Sequence, residues 1–173
     1  IYNSHEDCPM STLTVDTIQG KTTASNVKLP AGTVLQTVFA NASTSTTINS
    51  TSYIDANVTA TITPKYSTSN ILVLSSLTFD NASNDKIGAK LLRGSTTIKT
   101  EAWWAFSQGL GASDAVAYTL ARESHYHLDS PATTSETVYK WQVARITGSS
   151  NNYINYDSGD QSDSQIILME ISQ

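Results

Sequence analysis

A single cysteine, Cys8, stands in a chain of 173 residues, so no disulfide can close within one copy and no multi-thiolate metal site can form. Cys8 is left as a passive thiol or a cross-link between copies. Charge is also scarce. Asp, Glu, Lys and Arg make up 14% of the chain, below the usual quarter or so. The ten basic residues are scattered and the net charge is -5, which argues against nucleic acid and anionic membrane as partners, because phosphate binding needs clustered Lys and Arg. No run approaches the ~20 apolar residues of a membrane span, and the N-terminus lacks the apolar core of a secretory signal. These absences point to a soluble chain with no membrane insertion.

Serine and threonine fill the place that charge leaves empty. Threonine favours strands and serine favours turns, so the bias predicts an all-β protein with a hydroxyl-rich surface. Eight tyrosines and three tryptophans are more aromatic side chains than a disordered chain carries. The length suits one domain with a sizeable core.

The first nine residues, IYNSHEDCP, differ in character from the rest of the chain, and Met10-Ser-Thr-Leu-Thr-Val15 looks like an ordinary translation start. Residues 1–9 are therefore set apart from the fold as a cloning remnant, an upstream extension or a processed leader. From Ser11 to Lys28 the apolar positions Leu13, Val15, Ile18 and Val27 are too sparse for a core, so residues 1–30 read as an N-terminal extension that serves as an attachment arm. Leu29-Pro-Ala-Gly32 marks a turn, and residues 31–173 read as the head domain.

Strand signals then succeed one another. They fall on Thr33 to Ala40, Val58 to Thr63, Asn70 to Phe79, a hairpin of Lys86 to Arg93 and Thr96 to Ala102, Ala115 to Leu128, Tyr139 to Thr147, Tyr153 to Tyr156 and Gln165 to Ser172. Val116 to Glu123 could also pass for two helical turns, and the overall class favours a strand. Nine or ten strands without a convincing helix predict a sandwich or jelly roll. Val58, Ala60 and Ile62 should point inward with threonines outward. Tyr139, Trp141, Val143 and Arg145 share one face of the strand with the clearest alternation.

The segments Leu128-Asp-Ser-Pro-Ala-Thr-Thr134, Thr137-Val-Tyr-Lys-Trp-Gln142, Tyr153-Ile-Asn155 and Ser164-Gln-Ile-Ile-Leu-Met-Glu-Ile171 together resemble a C-terminal tail-fibre-like domain of marine bacteriophage structural proteins. The strand order of such domains is similar to the trimeric jelly rolls of tumour necrosis factor and C1q. The resemblance covers about residues 31 to 173 and is strongest in the last third; Met10 to Gly20 also looks like the start of such phage proteins. It implies a homotrimeric, non-enzymatic virion component whose arm meets other virion proteins.

A jelly roll that trimerises needs strands that are apolar on both faces, one face for the sandwich and one for the threefold axis. Ile71 to Leu74 and Ile166 to Ile171 have that character. Candidate core or trimer-interface residues are therefore Ile71, Val73, Tyr139, Trp141, Val143, Ile167, Met169 and Ile171. Glu170 lies on an otherwise apolar face and should find a cation, for which Arg145 is a candidate.

Candidate chemistry is sparse. His125 and His127 lie on one face of an extended segment, a spacing at which both imidazoles can bind one metal, six nitrogens in a trimer if the pair faced the axis; solvent-facing histidines bonded to Asp129 or Glu123 are the plainer alternative. Asp157, Asp160 and Asp163 recur at three-residue intervals in a serine- and glycine-containing loop, an oxygen set that calcium could use, although such loops are usually just solvated. Asp80, Asn81, Asn84 and Asp85 form a second acidic turn. Trp103, Trp104 and Phe106 could stack on a receptor, or be buried in the domain or trimer. No nucleophile elbow, phosphate loop or HExxH is present, so no enzyme is expected.

The expected role is a virion protein of fibre type that adheres to the host surface, a glycan or a protein, through loops drawn from residues 41–52, 103–113 and 149–163. The alternatives are a capsid-decorating or connector protein, and an enzyme acting on surface polysaccharide.

Overall fold

The computed structural model describes residues 29–81, 85–104, 119–156 and 163–173, with the side chains of 81, 102–104, 119 and 120 outside that description. Ten strands account for most of them: β1 Val34–Ala42, β2 Thr46–Ile48, β3 Ile54–Ile62, β4 Asn70–Asn81, β5 Lys86–Arg93, β6 Thr96–Trp104, β7 Thr119–Asp129, β8 Thr137–Thr147, β9 Asn152–Ile154 and β10 Ser164–Ile171. The fold is all-β, as the composition predicts. The segment open to a helical reading, Val116 to Glu123, is extended from Thr119 onward.

The strands form two antiparallel sheets. Sheet 1 runs β1-β10-β4-β9-β2, with β7 also on β4; sheet 2 runs β3-β8-β5-β6. β4 is long enough to serve several partners. Its first half pairs with β10 (Gln165↔Ser76 to Ile171↔Asn70), its far end pairs with β9 (Phe79↔Ile154, Asp80↔Tyr153), and β7 runs along its other edge from Ile71↔Asp129 to Asn81↔Thr119. The chain crosses between the sheets at six of its nine strand connections, staying in one sheet only from β1 to β2, β5 to β6 and β9 to β10, which is consistent with a jelly roll.

The core lies between the two sheets because the period-2 alternation of each strand meets that of its opposite number. Val58, Ala60 and Ile62 point inward from β3, and Thr59 and Thr61 lie exposed between them. Tyr139, Trp141 and Val143 of β8 are fully enclosed, and Ile71 and Val73 face them from sheet 1 within one continuous cluster. Those five candidate residues are therefore core of the single chain.

Buried polar groups are tied across the sandwich. Trp141 Nε1 donates to Ser75 Oγ at 3.0 Å, joining β8 to β4. Tyr139 OH donates to Asp129 Oδ2 at 2.6 Å, and Arg93 Nη1 donates to the two Asp129 oxygens at 2.9 and 3.0 Å. Burial first, then the hydrogen bond to Asp129 and its charge, raise the Tyr139 phenol pKa against the opposing effect of Arg93, so this tyrosine stays a donor.

At one end of β8, Gly148 adopts φ +94, and a β-carbon built there would land on the Asp85 carboxylate. Asp85 Oδ2 in turn accepts from Ser150 N at 3.1 Å and from Asn152 Nδ2 at 2.9 Å, fixing the turn into β9. Gly148→Ala combines a disfavoured backbone with a displaced buried carboxylate. It is expected to cost more than about 1 kcal/mol, read as a lower urea midpoint with unchanged slope.

Candidate functional site

The feature of this fold most open to a partner is the outer face of sheet 1. Side chains opposite one another on neighbouring strands share a face, so the register defines its rows. One row is Phe39, Ile167, Leu74 and Tyr126; the next is Thr37, Met169, Leu72 and Leu128; Val34 and Ile171 continue it toward the C-terminus. In the other direction the face turns polar, with Asn41, Gln165, Ser76 and Ser124 in a row. Phe39 is 58% exposed, Tyr126 75% and Leu128 55%, while Ile167, Met169, Ile171, Leu72 and Leu74 between them are half-buried. Single exposed hydrophobes are ordinary; apolar side chains that follow one another across four strands make this face the candidate for a covering partner.

β7 makes the case sharpest, because its polarity is inverted. His125 and Asp129 are buried on the side facing sheet 2, whereas Tyr126 and Leu128 point away from the chain's own core. The inversion is stable locally because Asp129 is held by Arg93 and Tyr139 and His125 packs on Trp141, their ring centroids 5.1 Å apart. Lys99 Nζ donates to the Tyr126 carbonyl at 3.0 Å and lies 5.5 Å from the Tyr126 ring centroid, bracing the edge.

Of the residues singled out in the sequence, Ile167, Met169 and Ile171 fall on this apolar face, and Phe39, Tyr126 and Leu128 join them. The last three were legible only in part. Alternation places Tyr126 opposite in phase to His125, and nothing local says which phase is buried.

His125 and His127 do share a face, as their spacing requires, but it is the face toward the sandwich interior and away from the apolar surface. Burial first, and then Lys99, lower the His125 pKa, with Glu101 opposing, so the neutral imidazole is favoured. Among the described residues, no three of His, Cys, Asp and Glu come together as a metal site.

Arg145 is not the partner of Glu170. Arg145 lies toward the far end of β8, where its amide donates to Ser50 O at 2.8 Å and its Nη1 to Ser150 O at 2.9 Å. Glu170, fully buried, instead accepts from the Lys65 and Tyr66 amides at 2.7 and 3.2 Å and from Gln36 Nε2 at 2.5 Å. Uncharged donors satisfy this carboxylate because the loop between β3 and β4 folds its backbone over the sheet end.

Trp103 and Trp104 complete β6 opposite Ile87 and Lys86, with their side chains outside the described residues; so is Phe106. Asp157 and Asp160 also lie outside them. Asp163 is described, and its carboxylate accepts from Asn41 Nδ2 at 2.5 Å while its carbonyl accepts from Thr78 Oγ1 and Arg122 Nη2.

No protein-family model and no curated protein matches the chain. Solved structures similar to it include the insecticidal delta-endotoxin Cry8Ea1 of Bacillus thuringiensis (15% identity, TM-score 0.38, 73% of this chain and 19% of that one). Others are dimeric latent PorU of Porphyromonas gingivalis (7%, 0.35, 84% and 14%) and the VP2 protein of infectious bursal disease virus (13%, 0.38, 79% and 36%). This chain therefore spans a minor part of each. Likeness at these scores carries no functional assignment.

Proposed function

We propose that the chain is a structural domain of a virion, of fibre type, that assembles as a homotrimer through the apolar outer face of sheet 1 and adheres to the host surface by its loops. The observation that carries this reading is the inverted strand β7, which turns Tyr126 and Leu128 outward to complete an apolar surface with Phe39, Met169 and Ile167. Such a surface is stable in water when another surface covers it, and in a closed homo-oligomer each copy supplies that cover. The resemblance of the last third of the sequence to phage fibre-like domains supports the virion assignment and the threefold symmetry.

The two ends of the sandwich suit a fibre tip. Leu29, where the arm enters, sits beside the C-terminus: Ser172 Oγ donates to Leu29 O and Gly32 N to Ser172 O. Residues 43–52 and 149–156 meet at the opposite end, where Asn155 Nδ2 donates to Thr44 O and Arg145 bridges Ser50 and Ser150. Attachment and recognition would thus be separated along the strands.

Mass in solution tests the assembly. The expected value is three times the 18.6 kDa of one chain, and Met169→Arg, at a half-buried position, should release folded monomers with an unchanged far-UV spectrum. A wild-type monomer would remove the trimer. Whole-cell or glycan binding by the trimer supports adhesion; absence of such binding together with tight capsid binding assigns the chain to the decorating class instead.

A further inference from the structure

The loop end of sheet 1 collects oxygen atoms whose partners are not all accounted for. Asp80 lies near the end of β4 and Asn155 directly after β9, and pairing of these strands sets them two rungs apart along one ladder, within diagonal reach of one another: Asp80 opposes Tyr153, and Asn155 N donates to Thr78 O at 3.0 Å. Thr78 also draws in the segment before β10, donating through Oγ1 to Asp163 O at 3.0 Å and through its amide to Ser164 Oγ at 2.9 Å. Asp163, far away in sequence, is thus tied to the threonine two residues before Asp80.

Asp80 is 7% exposed and Asn155 1%. Oδ1 of Asp80 and Oδ1 of Asn155 accept no hydrogen bond among the described residues, although buried polar atoms are nearly always satisfied. The orientation of the Asn155 amide is fixed by its nitrogen, which donates to Thr44 O at 3.3 Å, so the oxygen is the end left over. The neighbouring cation does not answer for Asp80: Arg122, opposite Thr78 on β7, spends Nη2 on Asp163 O at 3.2 Å. A buried carboxylate oxygen and a buried amide oxygen without donors are acceptors awaiting a positive charge.

We propose that Asp80 and Asn155 hold a hard divalent cation, calcium by preference, at the loop end of sheet 1, with Asp163 at its rim. Calcium takes oxygen ligands of mixed type, carboxylate, amide and carbonyl, in irregular arrangements, whereas magnesium demands near-octahedral order and gives up its waters reluctantly. Two side-chain oxygens with water completing the shell set a weak site, with a dissociation constant on the order of 10⁻⁴–10⁻³ M. Bound there, the ion joins β4 to the turn after β9 and so stiffens the end of the sandwich that carries the residues 43–52 and 149–156. The site does not depend on the proposed virion role.

Terbium is the probe for the whole chain. Tyr153 stands opposite Asp80, and Tyr156 stacks on it with ring centroids 4.6 Å apart, which places two phenol antennae beside the site. Wild-type protein at neutral pH should sensitise terbium emission, lose that emission to millimolar calcium but not to equal magnesium, and gain melting temperature with calcium in a saturating manner. Asp80→Asn should abolish both effects. Should that variant fail to fold, Asn155→Asp decides: it should be less stable in chelator, through repulsion with Asp80, and recover on adding calcium. Absent emission and absent thermal shift in the wild type overturn the site, and so does an Asp80→Asn protein that binds as the wild type does.

Discussion

Replacing Trp141 by alanine is expected to cost the sandwich about 3–5 kcal/mol, a large share of the roughly 5–15 kcal/mol that holds a typical domain together. The side chain is 1% exposed in the middle of β8, the strand that lies between β3 and β5 in sheet 2. Three contributions vanish together: the largest buried side chain of the core, its ring contact with His125, and the Nε1 hydrogen bond that ties it to Ser75 of the other sheet. Trp141→Phe separates them. It keeps most of the apolar volume and loses the hydrogen bond, so a loss nearer 1–3 kcal/mol is expected, including a buried Ser75 hydroxyl left short of a donor. Urea unfolding followed by far-UV circular dichroism measures both variants, since Trp103 and Trp104 complicate a fluorescence signal. Equal midpoints for the wild type and Trp141→Ala would mean that the core does not centre on β8.

The part of this fold legible in the sequence is the part governed by local alternation. Val58, Ala60 and Ile62 against Thr59 and Thr61, or Ile166 and Leu168 against Ile167 and Met169, fix a strand and its two faces from a few residues. The hairpin of β5 and β6 was equally plain, because Gly94 follows Arg93 with φ +58, the turn geometry that a glycine there supplies. Alternation cannot say which face is in when both carry apolar or both carry polar groups. On β7, His125 and Asp129 went inward and Tyr126 outward because Arg93, Tyr139 and Trp141 were waiting across the gap, and those residues belong to β5 and β8. The same long-range dependence defeated the expected Arg145–Glu170 pair. Sequence supplies the charges but not the loop between β3 and β4, whose amides reach Glu170 first. The placement of Asp80 and Asn155 two rungs apart on one ladder likewise depends on the pairing of β4 with β9, which no local pattern states.

Glu170 ties the end of β10 to β1 and to the loop between β3 and β4. Glu170→Ala is the second large expected loss. The change removes the carboxylate that accepts from the Lys65 and Tyr66 amides and one of the two acceptors of the Gln36 side-chain amide, at about 1–3 kcal/mol for each donor that water cannot reach. Glu170→Gln keeps the shape and one acceptor oxygen, so it should lose less. The charge also makes stability depend on pH. Burial by itself would raise the Glu170 pKa, but hydrogen bonds from Gln36, Tyr66 and Lys65 outweigh it and leave the pKa below the ordinary glutamate value. A carboxyl whose folded pKa is depressed binds its proton more readily in the unfolded chain. Its contribution is therefore complete above the unfolded value of about 4.3 and is lost as pH falls through the lower folded value. Urea midpoints taken between neutral pH and the acid limb should fall for the wild type over that window and fall less for Glu170→Gln, which has no proton to gain. Parallel acid limbs in the two proteins would show that the carboxylate is not held by the amides of Lys65 and Tyr66, and that the end of β10 is secured by apolar packing alone.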